Sequence, residues 1–463
     1  MKAYDVVVLG AGPGGYVAAI RSAQLGKKVA IIESRHIGGV CLNVGCIPTK
    51  ALIKNAEIMH NIKKGPMRGI YFTGMSVDMP KMIEAKNKTV KQLVSGVNLL
   101  LRSNDVDIYD GFGTAVDHKT ITVALNSGGS ETIGFQNLIV ATGSLPLIPG
   151  GMETDGHHIL DSTHVLDLAE VPKDLVIIGG GVIGCEMATI WNALGSNVTI
   201  VEMADQLVSS LDFEVAEALR RSLAGKKIKI LLGHKVEQMA VENGGVQIQV
   251  SGSGATVLRA DKVLVSIGRR ANLAGLEALE LDLERGWVTV DDYMKTNQKG
   301  IYAIGDVTGK MLLAHVASAQ GIVAAETIAG LDAKPLNMGA VPSCIYTLPE
   351  IGSVGMTEAA AKEAYGELLI GRFPLVASGK AVAMGESQGM FKIIARKDTG
   401  VVVGAHIMAP AATEIIAELT LAVELGTTMK ELGDTIHAHP TISECVMEAI
   451  HDAFGHCINM PKR

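Results

Sequence analysis

The chain has 463 residues, room for roughly three domains of ordinary size. With 48% hydrophobic residues, 19% charged residues and 53 glycines, it is neither disordered nor a coiled coil. Lys plus Arg number 41 against 48 Asp plus Glu, a net charge of −7, which leaves no basic footprint for nucleic acid or an anionic membrane.

The longest apolar runs, such as Val6 to Leu9 and Leu175 to Ile178, are strand-sized and far short of the ~20 residues of a membrane helix. A strand follows Met1 almost at once with no leader, so a cytoplasmic protein is expected. Six cysteines are too few for a secreted disulfide framework in so long a chain.

In chain order, Tyr4 to Leu9 predicts a short buried strand running into Gly10-Ala11-Gly12-Pro13-Gly14-Gly15. A helix over Tyr16 to Leu25 follows, closed by Gly26, then a strand from Lys28 to Ile32 that ends in Glu33. This is a complete βαβ dinucleotide fingerprint. Gly10 makes the turn, Gly12 lets backbone approach a pyrophosphate, Gly15 allows close helix packing, and the acid holds a ribose hydroxyl.

The next stretch, Gly38-Gly39-Val40-Cys41-Leu42-Asn43-Val44-Gly45-Cys46-Ile47-Pro48-Thr49-Lys50, sets two cysteines five apart. Regular helix geometry puts such positions on different faces, so a bridge between them needs a distorted turn, which Gly45 and Pro48 permit. A small strained ring is readily reduced, which suits a cycling disulfide. Two free core thiols, or half of a metal site, are the alternative readings of the spacing. Cys185, Cys344, Cys445 and Cys457 are scattered and read as ordinary semi-buried thiols.

The βαβ unit then recurs: strand Asp174 to Ile178, loop Gly179-Gly180-Gly181-Val182-Ile183-Gly184, helix Cys185 to Leu194, and strand Asn197 to Val201 ending in Glu202. In both copies the acid follows the first glycine by 23 residues. Two copies imply two dinucleotides, each with its pyrophosphate on a helix N-terminus. Glu202 and the following Met203-Ala204-Asp205-Gln206 offer no cation for a 2′-phosphate, so a nicotinamide cofactor here is NAD and not NADP. Near the C-terminus, His437-Ala438-His439-Pro440-Thr441-Ile442-Ser443-Glu444 sets a His five residues before a Glu. A carboxylate on one ring nitrogen fixes the tautomer and leaves the other free to take a proton from a thiol. A surface pair is the plain alternative; His437, His451 and His456 add no zinc-type spacing.

Together these marks resemble the flavin-dependent pyridine nucleotide-disulfide oxidoreductases, over essentially the whole chain. Further marks fall in order: Ala141-Thr142-Gly143 after the strand Asn137 to Val140, Gly268-Arg269-Arg270 after the strand Lys262 to Ile267, and Gly300 to Asp306. The resemblance implies an α/β chain with two Rossmann-like dinucleotide-binding domains, a central region and a C-terminal α+β dimerisation domain. Its expected boundaries are 1–148 for the first part of the FAD domain, 149–270 for NAD, 271–340 for the central part and 341–463 for the interface.

By the same resemblance FAD falls to Gly10, Gly12, Gly15, Glu33, Gly113, Thr142, Gly143 and Asp306, with Leu312-Leu313-Ala314-His315 close to the flavin. NAD falls to Gly179, Gly181, Gly184, Glu202, Val236 and Gly268. Cys46 matches the thiol that exchanges electrons with the flavin, and Cys41 the thiol that exchanges with substrate. Lys50 matches a cation near the flavin, paired with Glu186. His439 matches the acid/base, oriented by Glu444 and reaching the cysteine pair of the other subunit of a homodimer.

The expected reaction is oxidation of dihydrolipoamide to lipoamide with NAD, a flavin bridging thiol exchange and hydride transfer. Lipoyl-carrying proteins of 2-oxo acid dehydrogenase or glycine cleavage complexes are the expected partners. A glutathione-type reductase shares the cysteine spacing but prefers NADP. Mercuric and larger thioredoxin reductases need a further C-terminal thiol or selenol pair, absent from Ile458-Asn459-Met460-Pro461-Lys462-Arg463. A non-catalytic nucleotide-binding docking subunit is the remaining alternative.

Overall fold

A computed structural model describes residues 1–252 and 254–461; Lys462 and Arg463 of the C-terminal tail lie outside it. The first unit contains β1 (Lys2–Leu9), α1 (Pro13–Gln24), β2 (Val29–Glu33), α2 (Gly39–Val44), α3 (Cys46–Lys64), α4 (Met79–Ser103), β3 (Asp107–Ala115), β4 (Thr120–Leu125) and β5 (Ser130–Val140). β1 pairs in parallel with β2 on one side and β5 on the other, Val6 facing both Val29 and Asn137. Strand Ile301–Ala303 extends the sheet beyond β5. Val6, Val7 and Val8 are wholly buried, as central parallel strands covered on both faces must be.

The chain crosses through β6 (Ser144–Pro146) into the second unit: β7 (Ile159–Leu160), β8 (Asp174–Ile178), α5 (Val182–Leu194), β9 (Asn197–Val201), α6 (Phe213–Gly225), β10 (Lys229–Leu231), an antiparallel flap of β11 (Lys235–Glu242), β12 (Gly245–Ser251) and β13 (Thr256–Ala260), and β14 (Lys262–Val265). Its parallel sheet runs β10-β9-β8-β14-β7. The chain returns through β15 (Arg269–Ala271), antiparallel to β6. From Ser343 onward a five-stranded antiparallel sheet carries helices Ala412–Leu425 and Glu444–Ala453. No helix among the described residues is long and apolar enough to cross a membrane.

Strands β8 and β9 have the bounds expected from sequence. Helices α1 and α5 begin three residues earlier than expected, inside the glycine loops, because Pro13 suits a first helical turn and tertiary packing overrides glycine's low helix propensity. The strand expected over Lys262 to Ile267 stops at Val265, where Ser266 turns to donate its hydroxyl to Ile178 O at 3.2 Å.

In each sheet the strand order reverses beside the central strand, between β1 and β5 and between β8 and β14, and ligands of open α/β sheets bind at such points. The glycine loops are shaped to that crevice. Gly10 and Gly179 have φ of +104° and +105°, and a Cβ on them would meet Ala141 O at 2.3 Å and Ser266 O at 2.4 Å. A Cβ on Gly184 would stand 2.0 Å from Gly179 O, as one on Gly15 would stand 1.9 Å from Gly10 O. Gly184→Ala must therefore push α5 off its loop. The expected result is a loss of about 1–3 kcal/mol of stability together with weaker NAD binding, read by thermal unfolding and by titration with NAD.

Candidate active site

One cavity of about 1780 Å³ is lined by Gly10, Gly12, Gly15 and Glu33 of the first unit and by Gly179, Gly181, Glu202, Val236 and Gly268 of the second. Ordinary small-molecule pockets hold roughly 300–1,000 Å³, so the space suits more than one small ligand. At Gly12 and Gly181, the residues that precede α1 and α5, a Cβ would meet nothing within 4 Å, and neither helix start has a side-chain cap. Both helix N-termini thus combine uncapped N–H groups with open space, which is what a pyrophosphate requires.

The two acids are held alike. Glu33 accepts from Ala11 N–H at 2.8 Å and Arg35 N–H at 2.8 Å; Glu202 accepts from Gly180 N–H at 2.6 Å and Ala204 N–H at 2.7 Å. No Lys or Arg among the described residues forms an ion pair with Glu202.

The cysteines sit on either side of a helix break. α2 carries Cys41 and α3 begins at Cys46, with Gly45 between them at φ −144° and ψ −113°. A Cβ there would stand 2.9 Å from Val40 O, so only glycine turns the chain this closely. Asn43 braces α2 by donating to Gly39 O at 2.9 Å, and Thr49 starts α3 by donating its hydroxyl to Gly45 O at 2.6 Å.

Both cysteines are free thiols lining the cavity. The hydrogen bond between them lowers Cys46, which burial opposes and the Lys50 ammonium reinforces, to about 7. The same bond, with burial, pushes Cys41 far above the ordinary thiol range. Cys46 is therefore the sulfur that carries a thiolate near neutrality.

Lys50 stands beside this pair. Its Nζ lies 3.1 Å from both carboxylate oxygens of Glu186 and 4.3 Å from the centre of the Tyr346 ring. Glu186 has a side chain only 5% exposed and also accepts from Tyr346 N–H at 3.0 Å. The carboxylate is thus fully paired, as a buried charge must be.

Gly113, Thr142, Gly143, Asp306, Leu312, Leu313 and Ala314 also line the cavity. Gly14 and Gly321 let α1 and helix Ala314–Ala329 pack backbone to backbone, since a Cβ on Gly321 would reach Gly14 O at 2.6 Å and one on Gly14 would reach Ala317 O at 2.9 Å; this brings Leu313 and Ala314 to the crevice. His315 does not line the cavity: its Nε2 contacts Pro342 O at 2.9 Å. Gly184 is packed beneath the loop, outside the lining.

His439 Nδ1 lies 2.9 Å from Glu444 Oε1, and Glu444 Oε2 accepts from Thr441 N–H at 2.8 Å. Despite some burial, that N–H and the His439 ring hold Glu444 below the usual carboxylate range. The His439 side chain is 80% exposed, and neither residue lines the cavity that holds the sulfurs. The pair is assembled, but not at the cysteines of its own chain.

Several cavity residues carried no sequence signal. Cys344, read as an ordinary thiol, shares the cavity with Cys41 and Cys46, but burial pushes it up to about 11, out of thiolate chemistry at neutral pH. Ser144, which lines the cavity, and Tyr346, which stands behind it against Lys50 and Glu186, could be found only from the fold, because their hydrogen-bond partners are more than a hundred residues away.

Residues 4–321 match the family model described as pyridine nucleotide-disulphide oxidoreductase, and residues 341–450 match that family's dimerisation domain. A dihydrolipoyl dehydrogenase of Bacillus subtilis is 41% identical, the match covering 98% of this chain and 99% of that protein. A dihydrolipoyl dehydrogenase of Chlamydia muridarum is also 41% identical, with 99% of each chain covered. Among solved structures, LpdA from Mycobacterium tuberculosis superposes with a TM-score of 0.90 at 27% identity, covering 98% of this chain and 99% of its own. The HOCl-induced flavoprotein disulfide reductase RclA from Escherichia coli gives 0.85 at 28% identity, covering 96% and 99%.

Proposed function

This chain belongs to the pyridine nucleotide-disulphide oxidoreductase family, and from that premise we propose that it oxidises dihydrolipoamide to lipoamide, with NAD as acceptor and Cys41 and Cys46 as the exchanging sulfurs. It is a flavoprotein enzyme whose cofactors are FAD and NAD. The observation that carries the reading is the hydrogen-bonded Cys41/Cys46 pair on a cavity shared by two uncapped glycine-loop helix starts.

FAD suits the first loop, through Gly10, Gly12, Gly15, Glu33 and Asp306, and NAD the second, through Gly179, Gly181, Glu202, Val236 and Gly268. When bound, FAD supplies a carrier that accepts an electron pair from sulfur and gives it up as hydride. The sulfur chemistry belongs to the chain. In the oxidised pair, a thiolate of dihydrolipoamide attacks Cys41 Sγ; the Cys41–Cys46 bond breaks, and Cys46 leaves as the thiolate. The second substrate thiol then attacks its own sulfur in the mixed disulfide, closing lipoamide and releasing Cys41. Two electrons now reside on the cysteine pair, and the substrate's two protons must be taken up.

His439, oriented by Glu444, is the base proposed for that uptake. Lys50 stabilises the Cys46 thiolate, and Glu186 holds Lys50 in place. Lipoyl domains of 2-oxo acid dehydrogenase or glycine cleavage complexes are the proposed substrate carriers, and the dimerisation domain supports a homodimer as the working form.

Initial rates test this directly. Dihydrolipoamide with NAD should be turned over far faster than with NADP, and glutathione disulfide should be a poor oxidant of NADH or NADPH. A preference for NADP and glutathione disulfide would move the chain to the glutathione branch.

A further inference from the structure

The antiparallel pair β6–β15 is where the chain leaves the first nucleotide-binding unit and where it returns from the second. Arg269 stands opposite Pro146 in register, and its side chain reaches the diagonal neighbour Ser144, as side chains on one face of a ladder can. Arg269 Nε donates to Ser144 Oγ at 2.6 Å and Nη2 to Ser144 O at 2.8 Å. Ser144 Oγ lies in turn 2.5 Å from Asp306 Oδ2.

Donor chemistry fixes the direction of this chain. A guanidinium only donates and an ionised carboxylate only accepts, so the single hydroxyl proton of Ser144 goes to Asp306. Arg269 does not reach Asp306 by itself: Nε stands 3.9 Å from Oδ2, beyond hydrogen-bond distance. Ser144 is buried, the Arg269 side chain is 14% exposed and that of Asp306 28%. Asp306 and Arg269 both line the cavity, and Asp306 Oδ1 takes no hydrogen bond from the described residues. One carboxylate oxygen is therefore committed and the other is free for a ligand.

We infer that Ser144 and Arg269 are positioning residues that hold Asp306 in one orientation, its free oxygen presented to a hydroxyl of the flavin's polyol chain. The inference deepens the proposed function and rests on it. The relay keeps the guanidinium and carboxylate apart. Without the Ser144 hydroxyl they can close into a direct pair, and Arg–carboxylate pairs are frequently bidentate, which would consume the oxygen the ligand needs. Lysine could not replace Arg269, because a point charge lacks the planar fork that grips both Ser144 oxygens. The relay also links β15, which follows directly from the NAD unit, to the turn that carries Asp306, so the flavin grip depends on the join between the units.

The test compares Ser144→Ala, Ser144→Thr and Arg269→Lys as holoenzymes, reading FAD affinity from the fluorescence of flavin released on dilution. Loss of a charge-assisted hydrogen bond should weaken FAD binding about tenfold or more in Ser144→Ala. Arg269→Lys should lose a comparable factor, and Ser144→Thr, which keeps the hydroxyl, should stay near the unaltered protein. Unchanged affinity in Ser144→Ala, or an equal loss in Ser144→Thr, would overturn the inference. Should Ser144→Ala fail to fold, unchanged affinity in Arg269→Lys does the same. An unaltered protein that binds no FAD would instead sink the proposed function itself.

Discussion

Replacing Cys46 by Ser should abolish dihydrolipoamide turnover, by about 10⁴-fold or more, while the purified protein keeps its flavin and its visible absorbance. The size of the effect follows from electron accounting. Serine cannot form a disulfide, so the variant has nowhere to store the two electrons that dihydrolipoamide gives up, and no change at His439 or Lys50 can compensate. Cys41→Ser should be equally inactive but spectroscopically different, because it retains the Cys46 sulfur. Cys46 owes most of its depression to about 7 to the hydrogen bond from Cys41, and less to Lys50. Removing that donor altogether, as in Cys41→Ala, should therefore move the Cys46 titration upward toward the ordinary thiol value, whereas the hydroxyl of Cys41→Ser still offers Cys46 a donor. In the unaltered dithiol form, acidification through about pH 7 should protonate Cys46 and erase the thiolate absorbance. Turnover surviving in Cys46→Ser would end the sulfur assignment.

The two nucleotide units were legible because their requirements are local. A turn glycine, an approach glycine, a packing glycine and a terminal acid must recur at fixed offsets, and the contacts at Gly15 and Gly184 explain why no other residue can stand there. The cysteine pair was legible for a related reason: its five-residue offset demanded a break, and Gly45 supplies one. Only the resemblance joined Lys50 to Glu186, since 136 residues separate them and no periodicity spans that gap. The relay from Arg269 through Ser144 to Asp306 has no such guide. It is created where two sheets built from different stretches of chain meet, and neither Ser144 nor its burial is marked in its own neighbourhood. Cys344 is the partly buried, unreactive thiol that its sequence suggests, but nothing around it signals that its strand faces the cavity.

Replacing His439 by Gln should lower turnover by about 10²–10⁴-fold, the usual contribution of a positioned general base, with flavin and NAD binding retained. The more decisive consequence concerns which chain the histidine serves. In a single subunit His439 is 80% exposed and lies outside the cavity lining, yet Glu444 and Thr441 have already fixed its ring and its carboxylate partner. Such preorganisation on an open surface is useful only if a second copy brings its sulfurs to it. Cys46→Ser and His439→Gln are each inactive alone, but a heterodimer of the two contains one site with an intact cysteine pair from one subunit and an intact histidine from the other. Random reassociation of equal amounts makes half the dimers mixed, each with one of its two sites restored, so about one quarter of the unaltered activity should return. If His439 served the cysteines of its own chain, every site in every such dimer would lack either a sulfur or a base, and the mixture would stay as inactive as its components.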